Sequence, residues 1–556
     1  MRSLLLAALP ALLVVGPASA EKRDFERCDG LRAPGSKNGG MNGPVSADWF
    51  DGAMRHADAV AAGRALVASC DAALADPRLL PTATVRRAHL LRARALAALQ
   101  TGDADAALRD LDAAQAAAGA LAQDPLFVRS MGVSLSLARA AAWQVKGDRA
   151  KARAFAAEAA AARPYSVSIQ SLATLIAQRA RDVTQTAPAN TYALLLPLNP
   201  AARDLQFSEA VAEGRFAQAA ATYPLLKHDY PAPRWATLQS VFMVEDAQTL
   251  VSSVVHGGQA AYAYAAIGDS NRARATLTEV ATRTETALKR ETDKKGVLQP
   301  ESQLAAPLRA LIARATMMTE ARLAIAAGKP TEALSPLVGT ALPVTAESVD
   351  LLTALRAALP EAQRAMAPDP AAFAAKVAEK RLAETLDIAV LRKAMPAPET
   401  SGTLAGYDKA GSAFVASLFL GAGASKDGFR SKTDPATGTV TVEFVGAATS
   451  APVVEEMTLL RAADLARQAG KPALLIRGRR DFARTMNVTR GYSSIPVSST
   501  PAGYKTELTV RFVDPAALPA DLAGERDRLL DAERIYATLA PVYIPAPVGG
   551  AAKARR

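Results

Sequence analysis

One spacing recurs along this chain and restricts its fold more than any other feature: a glycine, an alanine five positions later, and an apolar residue four positions after that. "QTGDADAALRDLDAA" carries Gly102, Ala107 and Leu111, and "QVKGDRAKARAFAAEAAAARP" carries Gly147 and Ala152. Gly214, Ala219 and Tyr223 follow in "AEGRFAQAAATYPLLKHDYP", then Gly268, Ala273 and Leu277, then Gly328, Ala333 and Leu337. Helix-forming runs flank every copy. Around Gly147 the logic is local: the glycine can take a left-handed conformation that ends one helix. Asp148 suits the start of the next, and Pro164 closes it, because an interior proline loses a hydrogen bond and clashes. Pro231 stands at the same distance after Gly214 as Pro164 does after Gly147. Five copies predict consecutive helical hairpins. The alanine lets two helices approach, and the apolar residue fills the hole against the next pair. Composition agrees, since half of the residues are hydrophobic and only 5% are aromatic. Much of the apolar count is alanine, the best helix former.

This spacing resembles the tetratricopeptide repeat, whose turn glycine, small residue, bulky residue and closing proline occupy the same offsets. The resemblance covers residues 50–345 at the level of fold and implies a surface that holds a partner protein or peptide. The glycines stand 45 to 67 residues apart, against about 34 in the repeat, so the expected array is degenerate. The predicted fold class is mainly α: a TPR-like helical-hairpin array followed by a small α/β domain of ββαββ type. The expected organisation is a signal peptide at 1–20, a loop segment at 21–48 and the helical array at 49–394. A linker follows at 395–404, then the α/β domain at 405–515, a C-terminal helix and extension at 516–545, and a basic tail at 546–556.

Strand signals begin after the Pro/Gly-rich "MPAPETSG". "SAFVASLFL" is apolar and β-competent. "GFRSKTDPATGTVTVEFVG" holds two extended runs about a turn with Pro435 and Gly438, and Val440, Val442 and Phe444 alternate with Thr441 and Glu443. "PVVEEMTLLRAADLARQAG" reads as a helix stopped at Gly470, and "ALLIRGRRDF" and "YKTELTVRFV" read as strands. A helix is expected over 519–539. Residues 405–486 resemble a small domain of uncharacterised bacterial envelope lipoproteins, on the Gly438 turn, the "VEFVG" strand and the "LLRAADLARQAG" helix. That resemblance implies residence in the cell envelope and a domain shape, and no chemistry. The lipidated cysteine of those proteins has no counterpart here.

"MRSLLLAALPALLVVGPASA" has one arginine, a short apolar run and small residues at Ala18 and Ala20, the pattern of a secretory leader cleaved after Ala20. The expected location is therefore periplasmic or secreted, without a transmembrane span. In an oxidising compartment Cys28 and Cys70, the two cysteines of the chain, read as a disulfide in preference to two buried thiols. The net charge of +11, spread over a long exported chain, points away from nucleic acid and toward acidic polymers or lipid headgroups of the envelope, with solubility alone as an equally sufficient reading.

The chain carries few of the residue patterns that catalysis or metal binding requires. His56, His89, His228 and His256 share no metal-ligand spacing, and no nucleotide fingerprint or nucleophile elbow occurs; no cofactor or metal is expected. His89 reads as an ordinary helix residue. His228 sits near a helix end, where a protonated imidazole would favour the dipole. His256, before two glycines, has the most loop-like setting and is the candidate base of a hydrolase reading. "GAGAS" (421–425) reads as a flexible turn, and Glu455 with Glu456 as a solvated helix face. The basic cluster of residues 461–490 is the best binding candidate. Arg477, Arg479 and Arg484 could hold an anionic envelope component, with Arg477 and Arg479 on one strand face. The alternative, and preferred, reading is an edge strand blunted by charge. The leading functional expectation is an exported, non-enzymatic interaction protein.

Overall fold

A computed structural model describes residues 22–35, 41, 59–180, 192–231, 241–292, 301–383, 386–388, 391–392, 395–396, 398, 428–446, 450–489 and 496–544. The expected leader, His56, the "SAFVASLFL" and "GAGAS" runs, Arg490 and the basic tail lie outside these residues, as does the side chain of Arg484. The chain is mainly helical and carries a C-terminal antiparallel sheet of five strands. It divides into two compact units: Met1–Ala180 with Leu386–Leu518 and Leu529–Arg556, and Arg181–Thr385 with Pro519–Arg528. The helical region read from sequence as one array over 49–394 is thus shared between the units, and the sheet belongs with its first part.

The first unit opens with α1 (Lys22–Asp29) and continues through α2 (Ala59–Ala75), α3 (Thr84–Gln100), α4 (Ala104–Ala118), α5 (Val133–Val145), α6 (Arg149–Ala162) and α7 (Val167–Arg179), each of the last five packed on the helix before it. The loop expected at 21–48 is corrected at its start. Phe25 and Cys28, three residues apart and buried, give the 22–29 segment an apolar helical face, and Cys28 is disulfide-bonded to Cys70 on α2. The linker expected at 395–404 is corrected at its first two residues, and most of the rest lies outside the described residues. Met395 is buried, and the Pro396 carbonyl accepts from Arg92 Nη1 at 2.7 Å and from Ser134 Oγ at 2.8 Å.

The second unit holds α8 (Ala202–Ala212), α9 (Phe216–Thr222), the long α10 (Val241–Ala266), α11 (Ser270–Thr292) and α12 (Glu301–Ala326), then α13 (Pro330–Leu334), α14 (Ala346–Ala358) and α15 (Pro370–Ala383). No described helix is long and apolar enough to cross a membrane.

The repeated glycines lie between consecutive helices of both units. Gly102, Gly147, Gly214, Gly268 and Gly328 have φ of 84°, 82°, 69°, 85° and 74°, a conformation costing a side chain about 1–2 kcal/mol. The alanines five positions on (Ala107, Ala152, Ala219, Ala273 and Ala333) are all buried, as are Leu111, Tyr223, Leu277 and Leu337. The recurring spacing therefore marks a bend and two core contacts. After Gly102, Gly147 and Gly268 an aspartate caps the next helix: Asp103, Asp148 and Asp269 accept from the amides of Ala106, Lys151 and Arg272 at 2.9–3.0 Å. The helix after Gly214 stops at Thr222, well before Pro231, because Pro224 follows in a 3-10 turn.

In the first unit β1 (Gly428–Asp434) and β2 (Thr439–Gly446) form a hairpin, followed by α16 (Ala451–Gln468), β3 (Ala473–Thr489), β4 (Pro496–Val513), β5 (Leu530–Asp531) and α17 (Ala532–Tyr543). The antiparallel sheet has the order β1-β2-β4-β3-β5. Val440, Val442, Phe444, Leu508 and Val510, paired across β2 and β4, are buried on the face that packs against α16. The single helix expected over 519–539 is instead a 3-10 segment, Ala520–Arg528, then β5 and α17.

Candidate functional site

The bend at Gly214 opens a groove in the second unit. Its walls are Arg215 and the first turn of α9 (Phe216, Gln218), Ala266 at the end of α10 with Ile267 just after it, and Asp350 of α14, and this open groove has a volume of about 470 Å³. Ile267 is 48% exposed there, an apolar side chain without an apolar cover. The polar rim is fixed in place. Arg215 Nη1 donates to Gln218 Oε1 at 2.9 Å, and Arg215 Nη2 lies 3.4 Å from Glu209 Oε2. Asp350 Oδ2 accepts from the Tyr262 hydroxyl at 2.8 Å and from Arg322 Nε at 2.9 Å. Burial, reinforced by the Asp350 charge, pushes the Tyr262 phenol well above its usual range, so it stays a donor. An apolar patch between anchored charges of opposite sign can seat an apolar side chain and orient the polar backbone around it.

His256 is not in a loop. It lies inside α10, and its two glycines serve close packing: a Cβ on Gly257 would come within 2.2 Å of Val280 Cγ2, and one on Gly258 within 2.8 Å of the Ala315 Cβ. The imidazole does meet a hydroxyl, with Nε2 at 3.2 Å from Ser208 Oγ, while Nδ1 stands 4.0 Å from Asp204 Oδ1. The second distance is beyond hydrogen-bond reach. Ser208 sits within α8, whose amides are engaged in the helix, so they offer no preorganised donors for an oxyanion. Burial lowers the pKa of His256, with the nearby His228 adding to it. The pair makes a polar contact between helices. His228 itself packs its ring 4.3 Å from that of Tyr223, and burial lowers its pKa, which works against the protonated form that would favour a helix dipole.

The acidic pair is the largest correction. Glu455 and Glu456 are both buried, because α16 faces the sheet on one side and the α6–α7 region and α17 on the other. Glu455 accepts from Ser166 Oγ and Ser168 Oγ, each at 2.6 Å, at the start of α7, and Arg479 Nη2 lies 3.4 Å away. Burial raises the pKa of Glu455 against the pull of Arg479. Glu456 accepts from Arg129 Nη2 at 2.7 Å and from the Tyr543 hydroxyl, with Arg163 Nε 3.9 Å away.

Arg477 and Arg479 do not share a face. A bulge between Ile476 and Gly478 breaks the alternation, leaving Arg477 exposed, while Arg479 pairs opposite Leu508 on the face toward α16. The Arg479 side chain is 4% exposed and bound to Glu455 and Asp481. Beyond Leu474, β3 has no strand on its outer side among the described residues and carries three register shifts, the irregularity that blunts an edge.

A second buried cluster went unread in the sequence. Asp29 meets Arg86 Nε at 2.7 Å, and Arg92 Nη2 lies 3.0 Å from His89 Nδ1. Arg86, His89 and Arg92 recur every three residues along α3, a helical stripe in which polar residues replace apolar ones, and that spacing was the available signal. Burial raises the Asp29 pKa to about 6 against the Arg86 charge, and burial next to Arg92 holds His89 well below its usual value. Among the described residues no group of three or more potential metal-ligating side chains occurs. Compared with protein-family models, curated proteins and solved structures, the chain matches none.

Proposed function

We propose that this chain is an exported, non-enzymatic interaction protein of degenerate tetratricopeptide-repeat type, which holds an extended segment of an envelope protein on its second helical unit. The observation that carries the reading is the groove at the Gly214 bend, with Ile267 exposed between the anchored Arg215 and Asp350. The recurring bends support the repeat reading, and the apolar leader with its small-residue end supports export. The segment it fits presents one apolar side chain to Ile267 and Phe216, with backbone amides and carbonyls toward Asp350 and Gln218.

The test is capture from a periplasmic extract by the full chain and by its Ile267→Asp variant. Ile267 is half-exposed, so the fold should tolerate the change. A partner retained by the native chain and lost by the variant supports the assignment. Equal capture by both, or none by either, removes it.

A further inference from the structure

The face of the sheet turned away from α16 carries a feature that neither packing nor backbone geometry requires. Lys432 of β1 pairs with Thr441 of β2, Thr441 with Thr509 of β4, and Thr509 with Gly478 of β3, so these four form one row across the strands. Arg477 stands at the bulge beside Gly478. The next row, Arg430, Glu443, Glu507 and Arg480, is closed on itself. Arg430 Nη1 meets Glu443 at 3.3 Å, Arg480 meets Glu507, and Lys505 bridges both carboxylates. By contrast, Lys432 and Arg477 are exposed, and Lys432 is held only by the electrostatic attraction of the nearby Asp434. Asp434, on the same side of β1 as Lys432, turns its oxygens into the β1–β2 bend, accepting from Ala436 N at 3.0 Å and Thr437 Oγ1 at 2.8 Å.

Gly478 is the second observation. It has no left-handed φ, and a Cβ there would meet only Thr509 at 3.7 Å, an ordinary contact. A side chain would fit, and glycine weakens a strand interior. What glycine provides is a low floor, with the Thr441 and Thr509 hydroxyls beside it and an exposed cation at each end. Three inter-strand gaps put those ends about 14 Å apart.

We propose that this trough binds a linear, carboxylate-bearing glycan laid across the strands, its acidic groups on Lys432 and Arg477 and its hydroxyls on Thr441 and Thr509. Threonine hydroxyls both donate and accept, matching a hydroxyl-rich chain. The ladder amides of the central strands are engaged within the sheet, so a peptide crossing at right angles finds no backbone partners. The site lies in the first unit and stands or falls independently of the groove at Ile267.

Titration calorimetry of the full chain with galacturonate oligomers tests it, beside polyglutamate and dextran as the acidic-peptide and neutral-glycan arms. The expected result is binding of the galacturonate oligomers alone, weakened at least about tenfold by Lys432→Ala and by Arg477→Ala, the scale of a charge-assisted hydrogen bond. Gly478→Glu should abolish it with an unchanged melting temperature, while Gly478→Ala should fold and bind more weakly. No binding, equal binding of polyglutamate, or binding indifferent to Gly478→Glu overturns the proposal.

Discussion

The two units share their bends but differ in what fills the space between helices. The first sets ions inside: Asp29 with Arg86, Glu455 with Arg479, Glu456 with Arg129 and Arg163. The second uses rings and close approach, with Phe207 5.7 Å from Tyr223, Phe216 5.4 Å from Tyr262, and Gly257 against Val280. A bend glycine therefore dictates that a hairpin forms, and leaves open how hairpins adhere. Ionic filling is demanding, because each buried charge needs its partner. That partner is also what joins distant chain segments in the first unit.

The sharpest way to break the contrast is Glu456→Ala. It strands Arg129 and Arg163 and should destabilise the first unit by about 3–5 kcal/mol, the scale of a broken buried pair. The corresponding change in the second unit, Asp350→Ala, should cost less, about 1–2 kcal/mol, because its side chain is 30% exposed. Urea unfolding of both variants decides; equal losses would erase the distinction. Reduction of the Cys28–Cys70 bond acts on the first unit as well. It should lower stability by about 4 kcal/mol in the chain-entropy account, read as a drop in urea midpoint with reductant that Cys28→Ala abolishes.

Gly257→Ala sharpens the second half of the comparison because two effects oppose. Helix propensity alone would stabilise by about 1 kcal/mol. A methyl 2.2 Å from Val280 Cγ2 should outweigh it, giving a net loss of about 1–3 kcal/mol. A melting temperature at or above that of the native chain would show that α10 and α11 are not closely apposed there.

The ionic filling also predicts a pH response. Asp29 is raised to about 6 in the fold, so its contribution is present below its unfolded pKa and lost as pH rises through about 6. His89 is depressed, so its contribution is present above its unfolded pKa and lost on acidification. The two oppose between about pH 6.5 and 4, so each masks part of the other in the native chain. Asp29→Asn should expose the His89 response and lose stability as pH falls from 7 to 5, while His89→Gln should gain. Urea midpoints at the two values check the signs.

These cases show where the sequence was legible. The bends at Gly102, Gly147 and Gly268 were readable because glycine, cap and alanine lie within a few residues. The β1–β2 hairpin and α16 were readable for the same reason. Glu455 and Glu456 were misread because their partners, Ser166, Arg129 and Tyr543, lie 87 to 327 positions away, and no local period reports such a contact. Arg477 and Arg479 were placed on one face because a bulge leaves no mark in an alternating pattern. The groove falls between these cases: Arg215 follows a recognisable bend glycine, whereas Asp350 comes from a helix with no sequence link to it.

The smallest effect concerns the bends themselves. Where aspartate follows the glycine, the next helices run to 15, 14 and 23 residues; where Arg215 or Lys329 follows, they stop after 7 and 5, and no side chain caps them. If the cap helps set that difference, Asp148→Ala should cost about 1 kcal/mol. Lys329→Asp should return part of that amount, since its exposed pairing with Glu332 contributes little. Amide exchange in the first turn after each bend reads the change directly. Protection that falls after Asp148→Ala but does not rise after Lys329→Asp would assign the short helices to Pro224 and Pro336, which follow within a turn, and not to the missing cap.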